Sequence, residues 1–149
     1  MTILQTLTEK ARSIAVRSPW IYRINAGSCN GCDVECATTA LIPRYDIERL
    51  GCQYCGSPRH ADIVLLTGPL TARVKDAVLR VYDEVPEPKV TVAVGVCPIS
   101  GGIFRDGYAV LAPISKYIPV DVNVPGCAPR PQAIIEGIAQ AIEIWRGRL

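Results

Sequence analysis

The chain has 149 residues, 49% of them hydrophobic, which is enough for one ordinary domain with its own apolar core. Its 16 basic and 14 acidic residues leave a formal charge of +2 with no basic block, which speaks against a nucleic-acid partner. Seven cysteines, an odd number in a chain without an apolar leader, point to reduced thiols or metal ligation and away from a disulfide framework.

Residues 2–17 pattern as a short amphipathic helix with Ile3, Leu7 and Ile14 roughly on one side, interrupted by Glu9, Lys10 and Arg12. The charges exclude a membrane span there, and Ser18-Pro19 ends the helix because a residue before proline avoids helical angles. Residues 1–18 are therefore expected to form an N-terminal arm, with 19–149 as a single α/β domain. A first strand is expected from Trp20 to Ala26, closed by Gly27, with a helix from Asp33 to Leu41 and a second strand from Asp46 to Cys52. Ala61 to Thr67 reads as a buried strand ended by Gly68-Pro69, and Thr71 to Val85 as a helix with Val74, Val78, Leu79 and Tyr82 on its apolar side. Lys89 to Val96 repeats the strand pattern, followed by a loop through Cys97 and Gly101-Gly102. A last strand, Pro119 to Val124, leads into Pro125-Gly126-Cys127 and a helix from about Arg130 to Trp145. Alternating strands and helices predict a parallel, flavodoxin-like sheet with helices on both faces.

Sites in such sheets form outside the carboxyl ends of the strands. Cys29-Asn30-Gly31-Cys32, Cys97 and Cys127 all fall at such ends, so four thiols from three loops are expected at one place. Four soft sulfur donors suit either a 4Fe-4S cluster or a structural zinc ion. Zinc sites favour two compact Cys-x-x-Cys knuckles, and here the second pair is divided between two strand ends, which tilts the reading toward a cluster. Burial of Cys97 and Cys127 as ordinary core residues is the plain alternative.

Cys29-Asn-Gly-Cys32-Asp-Val-Glu35, Pro43-Arg-Tyr-Asp-Ile-Glu-Arg49, Ser57-Pro-Arg-His-Ala-Asp62, Thr67-Gly-Pro69, Gly95-Val-Cys97-Pro-Ile-Ser-Gly-Gly102 and Pro125-Gly-Cys127 resemble the small subunit of energy-converting, membrane-bound nickel-iron hydrogenases of the Ech type. The likeness spans nearly all of the chain after Ser18. It extends more distantly to the complex I 20 kDa subunit, whose first two ligands are adjacent cysteines. The two residues between Cys29 and Cys32 favour the hydrogenase branch.

The resemblance implies one proximal 4Fe-4S cluster on Cys29, Cys32, Cys97 and Cys127, with the nickel-iron centre in a separate large subunit. It implies a ferredoxin-like iron-sulfur subunit as a further partner, and integral membrane subunits that couple electron flow to ion transport. The chain would relay electrons for reversible proton reduction to hydrogen, on the cytoplasmic face of the membrane and without a span of its own. Relay of electrons to quinone is the alternative. Ala128 stands where the family more often has proline; it keeps a small side chain there, so altered loop stiffness with retained ligation is expected.

The remaining candidates carry weaker signals. Glu35 could relay protons, or it could simply suit a helix N-terminus as Asp33 does. Cys36 follows Cys32 by one helical turn and reads as a small buried residue, and Cys52-Gln-Tyr-Cys55 lacks the context of a redox pair. His60, with Arg59 or Arg44, could tune a cluster potential, or it could serve as a solvated loop residue. Ile103-Phe104 is more apolar than a free loop, which partner contact or local packing would explain.

Overall fold

A computed structural model describes residues 18–149, so the expected helix within residues 2–17 and most of the N-terminal arm lie outside the described residues. Five strands are formed: β1 (Trp20–Asn25), β2 (Gln53–Tyr54), β3 (Ile63–Thr67), β4 (Val90–Val94) and β5 (Val122–Val124). All pairings are parallel, in the order β2-β1-β3-β4-β5. This is the flavodoxin-like order, and it reverses direction between β1 and β3.

β3 and β4 are buried at every position, as continuous apolar strands in the middle of a covered parallel sheet must be. Alternate side chains divide between two cores. Ile21, Ile63, Leu65, Val90, Val92 and Val94 pack with α1 (Gly31–Leu41) and α4 (Pro131–Arg148) on one face. Ile24, Val64 and Leu66 pack on the other with Val78 and Tyr82 of α2 (Lys75–Asp83) and with Ile114 and Ile118. A further short helix, α3 (Val96–Ser100), follows β4 directly.

Helix α4 starts with Pro131 at its first position and ends with Arg146 and Arg148 in its last turn, both suited to the helix dipole. Its inward stripe is Ile134, Ile138, Ala141, Ile142 and Trp145. Gly137 lies on the same side because α4 crosses β5 so closely that a β-carbon there would be 2.3 Å from Val124 Cγ2. The Trp145 indole donates to the Pro88 carbonyl at 3.0 Å, which ties the far end of α4 to the entry of β4.

One expected element is absent. Residues 46–52 do not form a strand; Ile47–Leu50 is a 3-10 turn. Asp46 accepts from the Glu48 amide at 2.9 Å and Gly51 closes the turn in a left-handed conformation, so local capping outcompetes extension. The edge strand is displaced to Gln53–Tyr54, opposite Trp20 and Ile21.

Candidate functional site

Three strand-to-helix connections meet at the carboxyl ends of β1, β4 and β5. In the first, Asn25 folds its side-chain oxygen back to accept from the amides of Gly27 at 2.9 Å and Ser28 at 2.8 Å. Ser28 Oγ accepts from the Asn30 amide at 3.0 Å, and Asn30 takes a left-handed conformation (φ 67°), which asparagine tolerates well. The chain thereby turns sharply into α1, with Cys29 exposed on the turn and Cys32 buried in the first helical turn. Unpaired amides of a helix N-terminus favour anionic sulfur.

In the second connection, Gly95 has φ +93°. A β-carbon on it would lie 2.6 Å from Cys32 Sγ and 3.4 Å from the Gly126 carbonyl oxygen, so the Cys32 thiol rests directly on bare backbone. Cys97 is half-buried in α3, and not in a loop as expected, with its sulfur 3.4 Å from the β-carbon position of Gly102. The third connection is knitted to the second: the Gly95 amide donates to the Val124 carbonyl at 2.8 Å and the Val96 amide to the Gly126 carbonyl at 3.0 Å. It carries the exposed Cys127. The β-carbon position of Gly31 is 3.7 Å from Cys29 Sγ and 3.8 Å from Ala128 Cβ, which brings the first and third connections together.

Burial and neighbouring thiols raise two of the four cysteines. Cys32 is pushed up to about 11, first by burial and then by Cys97, Cys29, Asp33 and Cys127. Cys97 is raised by burial, then by Cys127 and Cys29. Among the described residues, no group of three or more Cys, His, Asp or Glu side chains is gathered to hold a single metal ion. One tetrahedral zinc ion needs all its sulfurs within about 2.3 Å of a point, whereas a cluster presents several irons to sulfurs spread around it. Four soft sulfur donors on three adjoining connections are a set that either kind of group could use.

Sequence reasoning overlooked the support beneath this loop. Asp33 is buried, and its carboxylate pairs with Arg23, accepts from Thr67 Oγ1 at 2.7 Å and from Asn25 Nδ2 at 3.0 Å. Arg23 and Asn25 alternate along β1 and so face α1 together. A polar pair at alternate positions of a strand before a Cys-x-x-Cys loop was the available signal.

Other candidates separate clearly. Glu35 is half-exposed on α1, and its charge reaches the Cys36 thiol. Cys36 and Cys52 are buried among the apolar side chains of the α1 and α4 face. Cys55 lies at the other end of the sheet, its thiol donating to the Ser57 carbonyl at 3.3 Å. His60 and Arg59 are exposed at the amino end of β3, lining a cavity of about 710 Å³ with Trp20, Cys55 and Asp62, so a direct role for either beside the thiols is ruled out by position. Arg59 pairs with Glu84 instead. Arg44 is exposed over the Tyr45 ring, and Tyr45 in turn accepts from Gln132 in the first turn of α4. Ile103 is 86% exposed and Phe104 44%, so local packing accounts for part of Phe104 and for little of Ile103 in the apolar turn after Cys97.

Comparison with known proteins agrees with the fold. Residues 29–141 match the family model described as NADH ubiquinone oxidoreductase, 20 Kd subunit. The chain is 52% identical over 127 residues to the probable membrane-bound hydrogenase subunit mbhJ of Pyrococcus furiosus, covering 85% of this chain and 75% of that protein. It is 45% identical over 133 residues to formate hydrogenlyase subunit 7 of Escherichia coli, covering 89% of this chain and 52% of that longer protein. A chain in the structure of the membrane-bound sulfane sulfur reductase, an archaeal respiratory membrane complex, superposes with a TM-score of 0.78 at 37% identity, over 93% of this chain and 76% of that one. Among the described residues no helix is long and apolar enough to cross a membrane. With the family match beginning at Cys29 and running through all three connections, the chain belongs to the family of the 20 Kd subunit of NADH ubiquinone oxidoreductase, which embraces hydrogenase small subunits.

Proposed function

We propose that the chain is the electron-relay subunit of a multisubunit, energy-converting nickel-iron hydrogenase. It would hold one 4Fe-4S cluster on Cys29, Cys32, Cys97 and Cys127, between a ferredoxin-like subunit and the nickel-iron large subunit, for reversible proton reduction to hydrogen. The observation that carries this reading is the meeting, at the carboxyl end of the sheet, of the three connections that bear Cys29, Cys32, Cys97 and Cys127. The 52% identity to a probable membrane-bound hydrogenase subunit supports the choice of complex.

When bound, such a cluster accepts and returns one electron at a time. This chain's residues supply its holder: thiolates as ligands, amides of the α1 N-terminus toward the anionic sulfur, and a buried Cys32 side that limits water. The exposed Cys29 and Cys127 and the apolar turn with Ile103 and Phe104 form the side offered to the large subunit. Glu35 is the proposed proton relay. The complex would sit on the cytoplasmic face of the membrane, anchored by integral membrane subunits.

Anaerobic purification of the complex, with metal content per chain and electron paramagnetic resonance during reduction, tests the assignment. Four irons are expected on this chain when it is separated from the other subunits, and the complex should show a paramagnetic signal that appears on reduction by hydrogen. Zinc in place of iron, with no such signal, would reject it. Relay to quinone is the second reading, favoured by the description of the matching family model. A neighbouring large subunit without nickel-ligating cysteines, together with quinone-dependent oxidation of the reduced signal, would select it.

A further inference from the structure

We propose that the Asn25–Asp33 side-chain hydrogen bond is a tether that sets the separation of the Cys29 and Cys32 thiols, making both residues positioning residues for the cluster loop. The inference rests on the electron-relay reading above for its purpose, and on geometry for its existence. One amide and one carboxylate link the turn that carries Cys29 to the helix that carries Cys32. Asn25 Oδ1 holds the Gly27 and Ser28 amides, which orients the turn that presents Cys29. Asn25 Nδ2 donates to Asp33 Oδ2 at 3.0 Å, one residue beyond Cys32. Asp33 Oδ1 is anchored to β3 through Thr67 Oγ1, and to β1 through Arg23. A loop ligand and a helix ligand are thus referred to the same point on the sheet.

The carboxylate is 7% exposed, a costly place for a charge unless each oxygen is satisfied. Both oxygens are. An Ala at position 33 would fill the α1 helix as well or better, so local helix formation does not explain Asp33. Nor does the helix dipole alone require burial, since an exposed acid in the first turn serves it. What the burial adds is a fixed link between strand, turn and helix.

The test exchanges donor and acceptor. Asn25→Asp sets two carboxylates face to face, and Asp33→Asn removes the charge from the link. The double variant N25D/D33N restores one acceptor facing one donor, and the carboxylate then carried at position 25 can still receive the Gly27 and Ser28 amides. Two readouts are used. Hydrogen exchange of the Gly27 and Ser28 amides is followed in the metal-free chain, and the rate of iron loss to a ferrous chelator is followed in the reconstituted chain. Each single variant is expected to speed both processes about tenfold or more, and the double variant to recover the part of that loss that belongs to the link between positions 25 and 33, the Arg23 ion pair at position 33 staying broken. Single variants indistinguishable from the parent, or a double no better than the worse single, would overturn the tether. A parent chain that takes up no iron, yet shows this pattern of amide exchange, would keep the tether and sink the electron-relay reading.

Discussion

The Cys32 sulfur sits 2.6 Å from where a β-carbon on Gly95 would be, so the space of that thiol is defined by a missing side chain on a different strand end. Gly95→Ala must either move Cys32 or distort a backbone at φ +93°. The metal-free chain is expected to lose about 1–3 kcal/mol of stability in urea unfolding. Under the electron-relay reading, iron retained per chain should fall further than that loss of folded protein explains, because Cys32, a proposed ligand, is displaced. Full iron content in a stably folded variant would show that Cys32 has room to move.

Under the electron-relay reading, serine at Cys97 or Cys127 should abolish the cluster and hydrogen turnover, since an oxygen donor would replace one of four proposed thiolate ligands. Serine at Cys55 should change neither, because that thiol lies beside Ser57 at the opposite end of the sheet. Iron analysis and hydrogen evolution by the complex read both. Equal loss from all three would refute the ligand assignment.

Alanine is the better helix former at position 137 by about 1 kcal/mol, yet Gly137→Ala should destabilise. Its methyl would be driven to 2.3 Å from Val124 Cγ2, and overpacking of this kind costs about 1–3 kcal/mol. Thermal unfolding of the parent and variant decides the sign. A second substitution, Val124→Ala, should return part of the loss by removing the colliding branch.

Alkaline pH should weaken the fold through Cys36. Burial, followed by Asp33 and Cys32, pushes its thiol up to about 12 from the ordinary 9.0. The folded chain therefore keeps a proton that the unfolded chain releases first. This contribution is complete below about pH 9 and is lost as pH rises toward about pH 12, at up to roughly 1.4 kcal/mol per pH unit. Urea midpoints across that range should fall less steeply in Cys36→Ala than in the parent. Parallel slopes would assign the alkaline loss to other buried groups.

The central architecture was legible because its residues obey simple periods. Ile63–Thr67 and Val90–Val94 are apolar at almost every position, as strands covered on both faces are, and the α4 stripe repeats at helical spacing. The placement of Cys29, Cys97 and Cys127 at strand ends followed from that alternation. Residues 46–52 were misread because Ile47 and Leu50 suggest a strand, whereas the Asp46 cap and Gly51 turn act over only a few residues and win locally. The Arg23–Asn25–Asp33–Thr67 network was invisible for a different reason. Its members are scattered through the chain, and nothing in Asp33 itself announces that a first-turn acid will be buried.

The strand order has a consequence for how the protein matures. β3 lies between β1 and β4 and contributes no cysteine, so the first Cys-x-x-Cys pair and the two later thiols are neighbours only after the middle of the sheet has closed around it. Under the electron-relay reading, a nascent chain that has emerged only as far as α2 offers an iron donor just half of a site. The full set of four thiols therefore exists only once β4 and β5 have joined the sheet.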